Sequence, residues 1–414
     1  MNNKYLNEFF NFISRFKLKY DFDRLIARDS SFSLKRSKQA LQKFFETDDD
    51  DLLSLWVADM DFQCPQPVIE AIKKRAKEES YGYNWHETPP YYDAVIGWMH
   101  RRHGWKVDPN WITFSPGIVP AIYMMVQTFS NIGDKIIIQS PVYYPFFSAI
   151  TNNGRHVLIN QLLYENNRYK FDLEDFEKKA KDPLTKIFIL CSPHNPVGRV
   201  WTQQELKNIG EICLENDILV IADEIHHDLI LSGYQHTLFS TISEDFEQNT
   251  IMCTAPSKSF NMAGLQISNI IIPNEKIRES FNHTILHRNG IHIPNTFGIV
   301  GMIAAYNDGL EWLEQVLQYI NSNFKYLKEF VENELPDVDF IDPEGTYLAW
   351  LDFKGIGMND EELKNLMLKK AKVVLDDGTM FGPGGEGFER INVACPKSIL
   401  ESCMERIVKA LKFK

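Results

Sequence analysis

Between Trp111 and Cys253 the chain alternates short apolar runs with longer stretches in which apolar positions recur every three or four residues. The runs Lys135 to Gln139, Lys186 to Leu190, Ile218 to Ala222 and Thr250 to Cys253 are rich in β-branched residues and have almost no polar face. Strands covered on both sides read this way. Each run precedes a turn and then a helical pattern, which predicts an α/β unit on a mainly parallel sheet. Ligands of such sheets bind beyond the carboxyl ends of the strands.

After Pro294 the pattern changes. One helical region from Gly298 to about Leu335 keeps Trp312, Val316, Tyr319 and Ile320 in register; a β-rich segment, Thr346 to Phe353, and a helix near Glu361 to Lys370 follow. These predict a smaller α+β unit that also takes in the N-terminal segment, which is too short to fold alone. The division is 59–297 for the large domain, 21–58 with 298–414 for the small one, and 1–20 as a helical extension. In that extension Leu6, Phe9, Phe10, Ile13 and Phe16 recur beside Lys4, Arg15, Lys17 and Lys19, a weakly amphipathic helix that packs on the body or on a partner subunit.

Composition narrows the picture. With 414 residues, 44% hydrophobic and 24% charged, the chain is neither disordered nor fibrous. A net charge of −12 repels phosphate backbones and argues against a nucleic-acid partner. Six cysteines have neither the density of a disulfide scaffold nor the spacing of a zinc site, and read as reduced thiols of a cytoplasmic protein. The longest uncharged apolar stretch beside a helix, Phe297 to Ala305, is far short of the roughly 20 residues that span a bilayer. No membrane partner is expected.

The chemistry sits where the strands end. Asn195, in Ser-Pro-His-Asn-Pro-Val-Gly, follows Lys186 to Leu190; Asp223 follows Ile218 to Ala222; and Lys258, in Ala-Pro-Ser-Lys-Ser-Phe-Asn, follows Thr250 to Cys253. Taken singly, each has an ordinary reading as a turn residue or a solvated loop charge. Asp223, however, is delivered to the end of a buried strand, where an unpaired carboxylate is costly and wants a cationic partner. Three successive strands thus end in Asn, Asp and Lys.

That constellation, in that order, resembles the pyridoxal-phosphate enzymes of fold type I, the class I/II aminotransferase superfamily, over nearly all of the chain after about residue 20. The resemblance implies a large domain on a mainly parallel, seven-stranded sheet, a smaller domain built from both termini, and pyridoxal 5'-phosphate as cofactor. It implies Lys258 as the Schiff-base lysine and the base at Cα, Asp223 as partner of the pyridinium nitrogen, and Asn195 and His226 as donors to the phenolic oxygen. Many family members have Tyr where His226 stands. Gly117 and Ile118, opening an apolar helical run, and Ser257 are implied as the phosphate cradle. Many relatives carry an arginine eight residues past the lysine, where this chain has Gln266. Tyr143 is implied as the ring that stacks on the cofactor, Tyr83 as a tyrosine reaching the neighbour's phosphate across a homodimer interface, and Arg390 as the grip on the substrate α-carboxylate. Ala58 is implied on the substrate side.

Subgroup wording goes further. Trp56-Val-Ala-Asp-Met-Asp-Phe62, Cys191 to Trp201, Asp223-Glu-Ile-His226 and Arg390 to Pro396 closely resemble the MalY/PatB-type cystathionine β-lyases, although Lys35-Arg36 stands where a Lys-Trp pair is more usual. This implies β-elimination of L-cystathionine, L-cysteine or another cysteine S-conjugate, a small-molecule amino-acid substrate. An aminotransferase on the same apparatus is the second reading, and a regulatory binding protein on this fold the third. Two decoys fall away. Gly382, Gly384 and Gly387 spell G-x-G-x-x-G but precede a strand pattern, and His283 with His287 lacks a third ligand.

Overall fold

The structure, a computed structural model, describes residues 19–28, 32–47 and 49–412; all but the last two residues of the predicted 1–20 extension lie outside that range. Seven strands form the large sheet: β1 (Ile112–Ser115), β2 (Lys135–Ile138), β3 (His156–Ile159), β4 (Thr185–Cys191), β5 (Leu219–Asp223), β6 (Thr250–Thr254) and β7 (Ser268–Ile271). Their order is β1-β7-β6-β5-β4-β2-β3, and only β7 runs against its neighbours.

The absence of a polar face on these strands has a direct structural cause. Along β4, Ile187, Ile189 and Cys191 enter one core cluster while Phe188 and Leu190 enter another on the opposite side. Ile221 of β5 joins the first cluster, and Val220 and Ala222 the second. Helices cover both faces, so alternate residues are buried alike. The four runs picked out by sequence coincide with β2, β4, β5 and β6 to within a residue at each end.

A second sheet is antiparallel, in the order β8 (Asp339–Ile341), β9 (Leu348–Asp352), β11 (Phe388–Asn392), β10 (Asp376–Asp377). Leu53–Ser54 pairs in parallel with Val373–Val374, which ties the N-terminal segment to the C-terminal region. Buried Arg199, from the loop after β4, donates to Glu344 at 2.8 Å and so fastens the large sheet to the loop that leads into β9.

Two elements depart from the sequence expectation. The single helical region of 298–335 is two helices, Thr296–Asp308 and Leu310–Glu334, with Gly309 between them. A Cβ at Gly309 would stand 2.4 Å from the Ala305 carbonyl oxygen and 2.7 Å from the Phe260 ring, so a glycine is required by this close approach. The helix near 361–370 starts as an α-helix over Asp360–Asn365 and widens into a π-helical turn over Leu366–Ala371.

Candidate active site

Adjacent parallel strands bring the polar residues together. Cys191 of β4 is level with Asp223 of β5, and Asp223 with Cys253 of β6, so the three strands end on one line. Asn195 follows β4 by four residues, Asp223 closes β5, and Lys258 lies on the helical turn Pro256–Ser259 after β6. All three line one cavity of about 270 Å³. Ala58, Gly117, Ile118, Tyr143, His226 and Ser257 line the same cavity, so nine of the residues marked in the sequence converge.

The electrostatics follow from burial. Lys258 donates to the Ala58 carbonyl at 2.7 Å, and its burial pushes the ammonium down to about 8 against the pull of Asp59. Asp223 is also buried, and its carboxylate accepts one backbone N–H, from Ile225 at 3.2 Å. Desolvation pushes its carboxyl up to about 7, only partly opposed by that N–H and by Lys258. His226 is held well below its usual value by burial and by the charges of Lys258 and Arg390, which makes it a neutral imidazole. Its Nδ1 is buried with no hydrogen-bond partner among the described residues.

Asn195 is oriented from the second sheet. Arg390 of β11 donates through Nη1 to Asn195 Oδ1 at 2.9 Å and through Nη2 to the Trp56 carbonyl at 2.9 Å and to Asp376 of β10. Its Nε is buried and has no partner among the described residues. Because the amide oxygen of Asn195 is taken, its NH₂ group is the part left for a ligand. Arg390 therefore lies behind the Asn195 amide; Tyr83 is 99% exposed and does not line the cavity.

At the other end, the helix Ile118–Phe129 begins at Gly117, whose φ of +136° suits glycine. The first N–H groups of a helix have no intrahelical partner, and Gly117, Ile118 and Val119 turn this terminus toward the cavity. Ser257 supplies a hydroxyl, and Gln266 stands there as a neutral amide. Among the lining residues Lys258 is the one Lys or Arg. These features fit pyridoxal 5'-phosphate: an anion cradle of amides, an aromatic wall in Tyr143, and a lysine. A buried acid with capacity to spare and two orphaned donors, in Asn195 and His226, complete the match.

Sequence reasoning missed two contributors. Tyr347 is fully buried and donates at 2.8 Å to the same Ala58 carbonyl that holds Lys258, and Asp376 neutralises Arg390. Both depend on pairings across long stretches of chain, and the signal available, a polar residue beside an apolar strand, is weak. His283 and His287 sit on neighbouring helical turns with rings 5.4 Å apart. Among the described residues the grouping suited to a metal is instead His103, His227 and Asp228. There, Asp228 already accepts from Trp98 and Ser259, at 3.2 and 2.7 Å.

Comparison with known proteins adds the following. A family model for aminotransferase class I and II matches residues 50–407. The chain is 47% identical to cystathionine beta-lyase PatB of Bacillus subtilis, over 87% of this chain and 93% of that protein. It superimposes on cystalysin from Treponema denticola, whose crystal structure contains a pyridoxal 5'-phosphate cofactor, with a TM-score of 0.91 and 40% identity, covering 95% and 99% of the two chains. The pyridoxal-phosphate-bound C-S lyase from Staphylococcus hominis is similar at 34% identity and a TM-score of 0.88, covering 96% and 99%.

Proposed function

This chain belongs to the aminotransferase class I and II family, and from that premise we propose that it is a pyridoxal-phosphate-dependent carbon-sulfur β-lyase. It cleaves the Cβ–S bond of L-cystathionine, L-cysteine or a related cysteine S-conjugate and, with one water, yields pyruvate, ammonia and a thiol. The observation that carries this reading is the 47% identity to a cystathionine beta-lyase across 87% of the chain.

When bound, the cofactor withdraws the electrons left on Cα as its proton departs. The chain's own residues do the rest. Lys258 holds the cofactor and moves the proton at Cα, a task helped by an amine whose burial brings it near neutrality. Asp223 would pair with the ring nitrogen, whose positive charge would favour the ionised carboxylate. The Asn195 amide and the His226 N–H would donate to the phenolic oxygen, and Tyr143 would lie against the ring. The amides of Gly117 and Ile118 with Ser257 bind the phosphate, and Arg390 holds the α-carboxylate with Ala58 beside it.

The domains are 59–297 around the cofactor and 21–58 with 298–414 on the substrate side. The active unit is a homodimer in which Tyr83 reaches the neighbour's phosphate. Exposed Tyr81, Tyr83 and Trp85, an apolar strip costly to leave in water, support this. The protein works in the cytoplasm; its cysteines are free thiols, and among the described residues no helix is long and apolar enough to cross a membrane.

The test is to incubate the cofactor-loaded protein with L-cystathionine in the absence of any 2-oxo acid. Continuing, stoichiometric release of pyruvate, ammonia and homocysteine is the expected result. Turnover that begins only when a 2-oxo acid is added would replace the lyase reading with an aminotransferase.

A further inference from the structure

The Ala58 carbonyl accepts from Lys258 at 2.7 Å and from the Tyr347 hydroxyl at 2.8 Å. The segment that carries it is held from several sides. The carbonyl of Trp56 accepts from Arg390 at 2.9 Å, those of Val57 and Asp59 from the Asn392 amide at 2.7 and 2.6 Å, and that of Met60 from Asn261 at 2.9 Å. Ala58 therefore sits in a row of pinned peptides beside the cavity it lines. Tyr347 is fixed as well. It directly precedes β9, its carbonyl accepts from the Val393 N–H at 2.9 Å, and its ring stands edge-on to His226 with centroids 5.8 Å apart.

An ammonium has three N–H donors, and among the described residues Lys258 has one acceptor for them, the Ala58 oxygen. A carbonyl oxygen has two lone pairs, and the lysine and the phenol take one each. The hydroxyl hydrogen thus stands against the same oxygen as the ammonium, which weakens the bond that would favour the charged lysine. The other groups around Lys258 do not all act in one direction. Asp59 and Asp223 favour the ammonium, Arg390 opposes it, and His226, Tyr143 and Tyr347 are neutral.

We propose that Tyr347 is a positioning residue for Lys258: by sharing the Ala58 carbonyl, its hydroxyl fixes where the amine stands when it is free of the cofactor and keeps that amine a base rather than an ammonium. This rests on Lys258 being the residue that holds the cofactor and moves the proton at Cα. A tyrosine that merely satisfies its own buried hydroxyl would leave the protonation of Lys258 unmoved.

Two replacements test this with opposite signs. Tyr347→Phe keeps the ring and removes the hydroxyl; 3-fluorotyrosine at position 347 keeps the hydroxyl and makes it a stronger donor. In the cofactor-free full-length chain, trace acetylation of Lys258 is followed against pH by mass spectrometry of its peptide. The wild-type midpoint is expected near pH 8, since burial brings the amine down to about 8. Tyr347→Phe should raise that midpoint by about half to one unit, and 3-fluorotyrosine should lower it by about 0.3 unit. In the holoenzyme turning over L-cystathionine, the acid limb of kcat should move by the same steps while KM changes less than about twofold. The visible band of the resting holoenzyme, in which the Lys258 nitrogen is bonded to the cofactor, should titrate as in wild type.

Midpoints unmoved by both replacements, or moved in the same direction by both, overturn the proposal. So does a visible titration displaced as far as the acetylation midpoint, which would mark a general distortion of the site. If Tyr347→Phe folds poorly, 3-fluorotyrosine decides alone. Acetylation is read without cofactor or substrate, so turnover that requires a 2-oxo acid would overturn the lyase reading and leave these midpoints as stated.

Discussion

Asp223, the last residue of β5, and Asp228, five residues on in the turn that follows, are both buried but have different surroundings. Asp228 is saturated. It accepts from Ser259 at 2.7 Å and Trp98 at 3.2 Å, and pairs with His103 at 2.9 Å and His227 at 3.3 Å. His227 and His103 hold its carboxyl well below the usual range despite the burial. Asp223 has one backbone N–H and a cavity in front of it, and sits near neutrality. An acid that serves the fold is completed by the protein; an acid that serves a ligand is left incomplete. The same contrast separates His227, whose Nε2 meets Thr254 and Asp228, from His226, whose ring makes no hydrogen bond with any described residue; the Nδ1 of each is buried without a partner among them.

The largest effect that can break this contrast is at Lys258, on the cavity side. Lys258→Ala should lower turnover by about 10³-fold or more and remove the cofactor's lysine-linked absorbance. Stability of the cofactor-free protein should not fall, because the substitution deletes a buried charge. A variant that retains turnover, or that unfolds, would put Lys258 with the structural groups.

The two acids come next. Asp223→Asn should cost about 10² to 10³ in turnover with no loss of stability, whereas Asp228→Asn should cost about 3 to 5 kcal/mol of stability, as breaking a buried charge network does. Their pH signatures have opposite signs. The folded pKa of Asp223 is raised, so the folded cofactor-free protein binds the extra proton and loses stability as pH rises from about 4 to about 7. Asp223→Asn should remove that loss, matching wild type near pH 4 and melting at higher temperature at pH 7. The folded pKa of Asp228 is depressed, so its contribution is present above the unfolded value and lost as pH falls through the folded one. Thermal melts of both variants from pH 7 to below pH 4 decide the matter; identical profiles would erase the distinction.

How far the sequence carries depends on the range of the forces involved. The strands ending in Asn195, Asp223 and Lys258 were legible because a strand buried on both faces must be apolar throughout, a local property. β1, β3 and β7 were not singled out. β3 lies at the sheet edge with mixed burial, and β7, although wholly buried, is flanked by a turn that breaks the βα rhythm. The break at Gly309 was missed because part of its cause, the approach of Phe260, is 49 residues away in sequence. At the site, motif resemblance supplied the residues that converge on the cavity, but the Arg390–Asp376 pair and the Tyr347 bond to Ala58 arise only when β9, β10 and β11 align. Glu389 and Arg390 read as neighbours in sequence, and only the pleat shows that they face opposite sides of the strand, Arg390 toward Asn195.

Arg390 tests whether the second sheet belongs to the ligand side. Removing a hydrogen bond to a charged group costs about 1.5 to 3 kcal/mol, so Arg390→Ala should raise KM for the amino acid about ten- to 150-fold. Arg390→Lys, which keeps the charge opposite Asp376 but not the fork, should restore folding stability more than KM. If KM is unchanged in both, Arg390 acts only as the support of Asn195.

The adjacent histidines give the smallest and cleanest separation. His226→Phe removes one donor from the cavity and leaves no buried partner behind, because Nδ1 bonds to nothing among the described residues. The expected cost is about 1 kcal/mol in cofactor retention, with a shift in the visible spectrum and an unchanged melting temperature of the cofactor-free protein. His227→Phe strips a partner from both Thr254 and Asp228, so it should lower that melting temperature while leaving the spectrum of the loaded enzyme in place. A spectral change in His227→Phe equal to that in His226→Phe would mean that the turn moves as one body. The division between its two faces would then be geometric only, and the incompleteness of Asp223 would have to be explained by strand-end burial alone.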